Sequence, residues 1–146
     1  FAMKWLKYIG LIVLLILIDR LVKYIVVNNY DYVLNEGIAL SLFNDSTMVS
    51  MTLHFLGIVL ATWYLITNLK TIEQNKLLAI AILMVIAGGV GNIIDRILYG
   101  GVVDFISIWI IPTFNIADTL VTVGVLFSAY IIFLKDKNEN NSNRGK

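Results

Sequence analysis

Residues 77–96 read LLAIAILMVIAGGVGNIIDR, an apolar run without any charge before Asp95. An α-helix rises about 1.5 Å per residue, so about 20 such residues are needed to cross about 30 Å of hydrocarbon. Residues 5–27, 49–69 and 115–134 are similar in length and apolar character. The sequence therefore predicts an all-α integral membrane protein with four transmembrane helices.

The composition of the whole chain points the same way. Its 146 residues are 59% hydrophobic and 14% charged, with a mean hydropathy of +0.84, whereas soluble domains are about 45–50% apolar and about 25% charged. The net charge of +1 gives no basic surface for nucleic acid. The chain has no cysteine, and its single histidine, His54, is interpreted as structural. We therefore expect no metal, no cofactor and no nucleic-acid partner.

The distribution of lysine and arginine predicts the orientation in the membrane. Loops 28–48 and 97–113 contain neither residue. By the positive-inside rule, these two loops lie outside and both termini are cytoplasmic. The cations that fix this orientation are Lys4, Lys7, Lys70, Lys76, Lys135, Lys137, Arg144 and Lys146.

The chain is expected to form a single domain over residues 3–135. Phe1 and Ala2 precede the first methionine, and we expect them to be non-native residues. Residues 136–146 are rich in Asn and Lys, so we expect a disordered cytoplasmic tail. No small-residue cleavage site follows the first apolar segment, which favours a retained anchor over a cleaved signal peptide.

Both outer loops contain segments that favour structure at the membrane surface. The β-favouring runs 30–34 and 38–43 are separated by the turn-forming residues 35–37, which predicts a small extracytoplasmic β-hairpin or cradle. Residues 106–111, with Trp109, predict a short interfacial segment that ends before Pro112.

The ionisable residues of the apolar segments gather near the ends predicted to face outward. A charge at mid-bilayer costs about 2.5–3.5 kcal/mol on insertion scales, so each one needs a partner or a function. Asp19 and Lys23 are i,i+4 neighbours, which predicts an ion pair that supports the helix bundle. Arg20 is expected to snorkel outward or to pair elsewhere. Arg96, adjacent to Asp95, either points into the bundle or anchors the outer interface.

Asp104 and Asp118 have no local cation and lie in apolar surroundings. Two such acids can share one proton, because burial and like-charge repulsion raise one pKa and leave the other carboxyl ionised. An acid and a base of this kind can activate a water and protonate a leaving amine. The alternatives are an N-cap of the fourth helix for Asp118 and a loop-end cap for Asp104.

Small and amide residues surround these acids in the sequence. Gly88, Gly89 and Gly91 permit the close approach of either a neighbouring helix or an extended substrate. Asn92 and Asn115 either bind peptide groups and orient the carboxylates, or serve as an interhelical hydrogen bond and a helix cap.

Four sequence blocks resemble the lipoprotein signal peptidases, the signal peptidase II family. The most specific are GGVGNIIDRILYGGVVDFI at 88–106 and FNIAD at 114–118, and the weaker ones are DRLVK at 19–23 and NEGIALSLF at 35–43. The resemblance implies an aspartic endopeptidase of the bacterial cytoplasmic membrane. Such an enzyme removes the signal peptide from prolipoproteins that carry diacylglyceryl on the lipobox cysteine.

The resemblance also implies roles for individual residues, without any metal or cofactor. Asp104 and Asp118 match the catalytic dyad of the family. The residues implied to bind substrate are Asn35, Gly37, Asn92, Arg96 and Asn115, and those implied to support the site are Asp19, Lys23 and Asp95. The expected partners are diacylglyceryl-modified prolipoproteins and membrane lipid, and the protein is expected to act as a monomer with its site near the outer face.

Two other hypotheses remain open at this point. A small proton or ion carrier would also place acids in a membrane, although a relay should extend through its whole depth. A catalytically inactive relative would keep the same scaffold. The chain departs from the family pattern at Arg20, where Gln is usual, and in the short connection between Asp104 and Asp118.

Overall fold

The computed structural model of the protein describes residues 2–36 and 47–144. Helices dominate this part of the chain, and four short strands connect them. The helices are α1 (Ala2–Asn29), α2 (Thr47–Thr67), α3 (Leu69–Gln74), α4 (Lys76–Tyr99) and α5 (Ile116–Arg144). The strands are β1 (Val33–Asn35), β2 (Val102–Asp104), β3 (Ile106–Ile108) and β4 (Ile111–Phe114).

Local sequence signals explain where α4 begins and ends. The side chain of Asn75 caps its first turn by accepting a hydrogen bond from Leu78 N at 3.1 Å. Gly100 ends the helix in the left-handed region with φ 78°, where a residue without a Cβ is favoured. The chain then enters β2 directly, so α4 and β2 place their polar residues next to one another.

Two described helices are long and apolar enough to cross a membrane, Lys76–Tyr99 and Ile116–Asn138. Met51–Thr67 within α2 is a shorter apolar helix, and three charged residues interrupt the apolar run of α1. The helical class is therefore confirmed, together with small antiparallel sheets. The count of four transmembrane helices stays a prediction.

The helix α5 continues further than expected. We predicted disorder for residues 136–146, but α5 is helical as far as Arg144. Extending an existing helix fixes one residue for each hydrogen bond gained, so propagation is far less costly than nucleation. A polar tail can therefore follow an apolar helix in the same conformation.

The core is organised around α4, which packs against α1, α2 and α5. Glycines allow this close packing, because the neighbouring helices leave no room for a side chain at these positions. A methyl group on Gly89 would lie 2.8 Å from Ile58 of α2, and one on Gly88 would lie 2.9 Å from Val121 of α5. Gly124 of α5 approaches the backbone of Ala81 in the same way. The outer faces of the helices carry exposed apolar side chains, as expected for contact with lipid.

The described pairing of β1 is one that the sequence did not predict. β1 pairs antiparallel with β2, with Val33 opposite Asp104 and Asn35 opposite Val102. Residues 38–43, the expected partner of 30–34, lie outside the described residues. A β-favouring run specifies a strand without specifying its partner, because pairing is a long-range contact.

The predicted interfacial segment 106–111 is part of a β-hairpin. β3 pairs antiparallel with β4, with Ile106 opposite Phe114 and Ile108 opposite Ile111. Trp109 lies fully exposed in the turn between these strands. The proline at position 112 does not end the segment but lies within β4, where an edge position tolerates the missing N–H group.

Candidate active site

A cluster of four buried or half-buried charges joins α1 to α4. Lys23 Nζ lies 3.1 Å from Asp19 Oδ2 and 2.6 Å from Asp95 Oδ2. Arg20 Nη2 lies 2.7 Å from Asp19 Oδ2 and 2.6 Å from Asp95 Oδ1. The predicted pair of Asp19 and Lys23 is therefore present but belongs to a larger network. Arg20, expected either to snorkel outward or to pair elsewhere, pairs with both carboxylates.

The first turn of α5 holds Asp118. Asp118 N donates to Asn115 Oδ1 at 2.9 Å, and Asn115 N donates to Asp118 Oδ2 at 3.1 Å. This reciprocal pattern is a capping box in which Asn115 is the cap and Asp118 is the third residue of the helix. The N-cap alternative for Asp118 is wrong, whereas the cap alternative for Asn115 is correct.

Asp104 is buried at the end of β2. Its Oδ2 accepts a hydrogen bond from Asn35 Nδ2 at 2.9 Å, and its Oδ1 accepts one from Asn115 Nδ2 at 2.7 Å. Asn35 reaches it because β1 pairs with β2. Asp104 therefore accepts hydrogen bonds from the side chains of two amides on different elements.

Asn92 of α4 completes the connection between the acids. Its Nδ2 donates to Asp118 Oδ1 at 2.7 Å, and its Oδ1 accepts from Asn115 Nδ2 at 3.3 Å and from Lys23 Nζ at 3.5 Å. The same Nδ2 lies 3.4 Å from Nε2 of His54. Because an amide nitrogen only donates, this contact requires an unprotonated Nε2.

Burial is the largest influence on the Asp104 carboxyl, which is 1% exposed, and it raises the pKa of Asp104 to about 6. The negative charge of Asp118 raises the pKa of Asp104 further. The hydrogen bonds from Asn35 and Asn115 and the charge of Lys23 act in the opposite direction. The carboxyl of Asp104 thus holds its proton at a pH where an exposed aspartate is ionised.

The two acids face a common cavity of about 450 Å³. Its walls are largely apolar and come from β1, β2, β4, α2, α4 and the first turns of α5. His54, which we interpreted as structural, lies in this wall and contacts Asn92. The lining residues are Asn35, His54, Arg96, Val102, Asp104, Ile111, Pro112, Thr113, Phe114, Asp118, Thr119, Val121, Thr122 and Val123.

Arg96 also belongs to the cavity wall. Its Nη1 donates to Asn92 O at 3.4 Å, and its side chain is buried. It therefore points into the bundle, the first of the two alternatives. Gly37 lies outside the described residues, so its predicted role has no structural counterpart. Every other residue predicted for the site is within this group of connected side chains.

Sequence reasoning did not assign Arg20 and His54 to the site. A signal for Arg20 was the second acid, Asp95, which needed a cation once Lys23 was matched with Asp19. A signal for His54 was a polar ring in an otherwise charge-free apolar helix. Among residues 2–36 and 47–144 no group of three or more His, Cys, Asp or Glu side chains is arranged to hold a metal ion.

Comparison with known sequences settles the family. The family model described as signal peptidase (SPase) II matches residues 11–134 of the chain. The chain belongs to the signal peptidase II family. This membership confirms the resemblance carried by the four sequence blocks. It identifies the chain as a peptidase, and the apolar helices of this family member are those of a membrane protein.

Relatives and a solved structure agree with this assignment. The lipoprotein signal peptidase of Blochmanniella pennsylvanica is 37% identical, with 94% of each chain covered. That of Polynucleobacter necessarius is 32% identical, with 84% of this chain and 86% of the relative covered. A bacterial membrane enzyme solved by the in meso method at 2.3 Å has a TM-score of 0.79 and 26% identity, with 91% of this chain and 90% of that enzyme covered.

Proposed function

We propose that this member of the signal peptidase II family is an aspartic endopeptidase of the bacterial cytoplasmic membrane. It removes signal peptides from prolipoproteins that carry diacylglyceryl, cutting before the lipidated cysteine. Family membership and relatives named lipoprotein signal peptidase support the substrate class. The observation that carries the aspartic mechanism is Asn115, whose side chain and backbone hydrogen-bond to both Asp104 and Asp118 beside one cavity.

The two carboxyls take different parts in the reaction. Asp118, ionised, removes a proton from a water whose oxygen attacks the scissile carbonyl carbon. Asp104 reacts in its protonated form, which its raised pKa of about 6 makes available at higher pH than for an ordinary aspartate, and it donates a hydrogen bond to the developing oxyanion. When the C–N bond breaks, Asp104 gives its proton to the leaving amine, and the proton taken from the water remains on Asp118, so the dyad holds one proton before and after the reaction. Water is the nucleophile, so no covalent intermediate forms.

The polar residues around the dyad bind and orient the substrate. Arg96 and Asn35 lie in the cavity wall and offer donors to the carbonyl groups of an extended peptide. Asn92 and Asn115 hold the carboxylates through their side chains. Gly37 is included in this set on the resemblance alone.

The membrane arrangement completes the proposal. Residues 3–135 form one domain of four transmembrane helices, with both termini in the cytoplasm and the dyad near the outer face. The signal helix enters between the helices from the side, while the acyl chains remain in lipid. A monomer suffices, because residues of one chain build the whole described site.

A cleavage assay in detergent tests this proposal. Purified protein is given a prolipoprotein with diacylglyceryl on its lipobox cysteine, and in parallel the unlipidated form, and cleavage is read as a gel shift. Asp104→Asn and Asp118→Asn are compared with Asp31→Asn, the same change at an exposed acid. We expect cleavage of the lipidated substrate alone, its loss by about 10³-fold or more in both dyad variants, and wild-type activity in the control.

Three other outcomes would contradict parts of the proposal. Cleavage by either dyad variant would contradict the aspartic mechanism. Cleavage of the unlipidated substrate at the same rate as the lipidated one would show that diacylglyceryl is not required. A folded wild-type protein that leaves both substrates intact would favour a catalytically inactive relative or a carrier.

A further inference from the structure

His54 is an ionisable residue of the cavity wall that the proposed mechanism does not use. It belongs to α2, and its side chain lines the cavity together with both dyad aspartates. Its Nε2 lies 3.4 Å from Nδ2 of Asn92 on α4. The same Nδ2 donates to the carboxylate of Asp118. His54 is therefore one contact away from a dyad carboxylate.

The close approach of α2 to α4 brings the His54 ring to Asn92. A methyl group on Gly89 would lie 2.8 Å from the Ile58 side chain and 3.8 Å from the carbonyl oxygen of His54. Gly89 precedes Asn92 by about one helical turn, so the two lie on the same side of α4. Ile58 follows His54 on α2 by about one turn in the same way. The glycine thus sets a helix spacing at which the imidazole reaches across to the amide.

The Asn92 amide uses its full hydrogen-bonding capacity. Its Oδ1 accepts from Asn115 Nδ2 at 3.3 Å and from Lys23 Nζ at 3.5 Å. Its Nδ2 carries two hydrogens, of which one is donated to Asp118 Oδ1 at 2.7 Å. The other serves His54 Nε2 at 3.4 Å. Because partners lie on both sides of the amide, a rotation of its plane weakens several contacts at once.

Loss of the acceptor on α2 would leave one N–H of Asn92 unsatisfied. The Asn92 side chain is 0% exposed, so bulk water does not replace a lost partner. A buried donor without an acceptor is costly, and the amide reduces this cost by turning towards another acceptor. Such a turn changes the direction of its hydrogen bond to Asp118, the carboxylate proposed to activate water.

We propose that His54 is a positioning residue for the peptidase reaction. Its neutral Nε2 accepts a hydrogen bond from Asn92 and so fixes the amide that holds Asp118. His54 acts through this amide and not on the reacting atoms. The inference rests on the proposed dyad of Asp104 and Asp118.

Three substitutions separate the acceptor of His54 from the rest of its side chain. In His54→Gln, Oε1 is as many bonds from Cβ as Nε2 is in histidine, so an acceptor for Asn92 is kept. In His54→Asn, Oδ1 takes the place of Nδ1 instead, and His54→Phe keeps a ring without either nitrogen. The control is Thr67→Val, which removes an exposed hydroxyl from the same helix away from the cavity.

The measured quantities are kcat and KM for a diacylglyceryl-modified prolipoprotein in detergent, with the folded fraction of each sample taken from tryptophan fluorescence. For His54→Asn and His54→Phe we expect kcat to fall about 3- to 10-fold, the effect of losing one neutral hydrogen bond. KM should stay within about twofold, because substrate binding is not the step affected. His54→Gln should remain within about twofold of the wild-type kcat, since its carbonyl oxygen is an equivalent acceptor. Thr67→Val should match the wild type.

Other patterns would overturn the inference. If the three His54 variants have equal kcat, whether normal or reduced, an acceptor at the Nε2 position makes no difference. A higher KM with unchanged kcat would show that His54 contacts the substrate directly. A loss of activity that only follows the folded fraction would show a purely structural role.

The proposed function is judged separately from the role of His54. If Asp104→Asn or Asp118→Asn still cleaves, the dyad is wrong whatever the His54 variants do. If both dyad variants are inactive while His54→Asn and His54→Phe are normal, only the positioning role is wrong.

Discussion

Asn115 donates a hydrogen bond from Nδ2 to Asp104 Oδ1 at 2.7 Å, so the residue that caps α5 also holds the carboxyl at the end of β2. Its Oδ1 meanwhile accepts from the backbone of Asp118 at 2.9 Å. An amide is suited to this position because it donates and accepts at once. One side chain thereby couples the start of a helix to the geometry of two acids.

Replacing the Asn115 amide by a carboxyl separates its role as the cap of α5 from its role as a hydrogen-bond donor to Asp104. Asn115→Asp keeps an oxygen to cap α5 but removes the donor to Asp104 and adds a third acid. We expect kcat/KM to fall about 100-fold or more, as when an oriented catalytic hydrogen bond is removed. The thermal unfolding midpoint should fall as well, because Asn115 is fully buried and a third carboxyl there lies beside two others. Cleavage rates and unfolding are measured on the same preparation.

A matched control exists at the other capped helix. Asn75 caps α4 through the same type of contact, to Leu78 N at 3.1 Å, but lies away from the cavity. Asn75→Asp should retain full activity, since a carboxylate caps a helix as well as an amide. A normal kcat/KM in Asn115→Asp would show that the bridge to Asp104 is dispensable.

The raised pKa of Asp104 predicts the pH dependence of cleavage. A carboxyl with a pKa of about 6 is protonated below that pH and ionised above it. In the proposed mechanism Asp104 acts as the acid, so kcat/KM should fall as the pH rises through about 6, by roughly tenfold per unit. The measurement is a pH profile with lipidated substrate in detergent, with folding checked at each pH.

A variant at Asn35 tests whether Asp104 is the group responsible. The hydrogen bond from Asn35 favours the ionised form of Asp104 and so lowers its pKa. Asn35→Ala should therefore raise the pH above which kcat/KM begins to fall, and it should also lower kcat. If activity begins to fall at the same pH as in the wild type, or at a lower pH, the group that titrates is not Asp104.

The crossing of α4 and α5 depends on a glycine. A methyl group on Gly124 would lie 2.6 Å from the carbonyl oxygen of Ala81 and 2.8 Å from a methyl group of Val85. Gly124→Ala should destabilise the fold by about 1–3 kcal/mol, the usual cost of overpacking. Thermal unfolding in detergent measures this, and the cleavage rate should fall with it.

Gly57 offers the matched control for this substitution. It lies within α2, and a methyl group there would meet no atom within 4 Å. Gly57→Ala should leave the unfolding midpoint unchanged or raise it, by up to about 1 kcal/mol from helix propensity. Equal destabilisation by the two variants would contradict the close approach of α4 and α5.

Trp109, at the tip of the β3–β4 hairpin, is predicted to lie at the membrane surface. Its fully exposed indole suits the headgroup region, where Trp is enriched. In a variant with Trp5→Phe and Trp63→Phe, we expect brominated lipids to quench the Trp109 fluorescence. Quenching by aqueous acrylamide, without an effect of the lipids, would place the hairpin in water.

The apolar helices and the two acids were predictable from the sequence because they depend on local properties. Hydropathy follows from residue type, and Asp104 and Asp118 stand out because no cation is near either one in sequence. The pairing of Asp19 with Lys23 was predictable for the same reason, since i,i+4 neighbours share a helix face. The interpretation of His54 as structural missed its place in the cavity wall.

The tertiary structure decided which distant groups meet. The sequence determined the apolar helices, a candidate cap at Asn115 and two acids without a nearby cation, since these follow from short-range geometry and composition. It could not determine that β1 pairs with β2, that Arg20 bridges two carboxylates, or that one amide of Asn115 reaches Asp104. Those contacts form only when glycines allow α4 and α5 to approach closely and the buried charges are paired. The energy of a long-range contact depends on the packing of all the elements that position it, and this packing is a property of the whole fold.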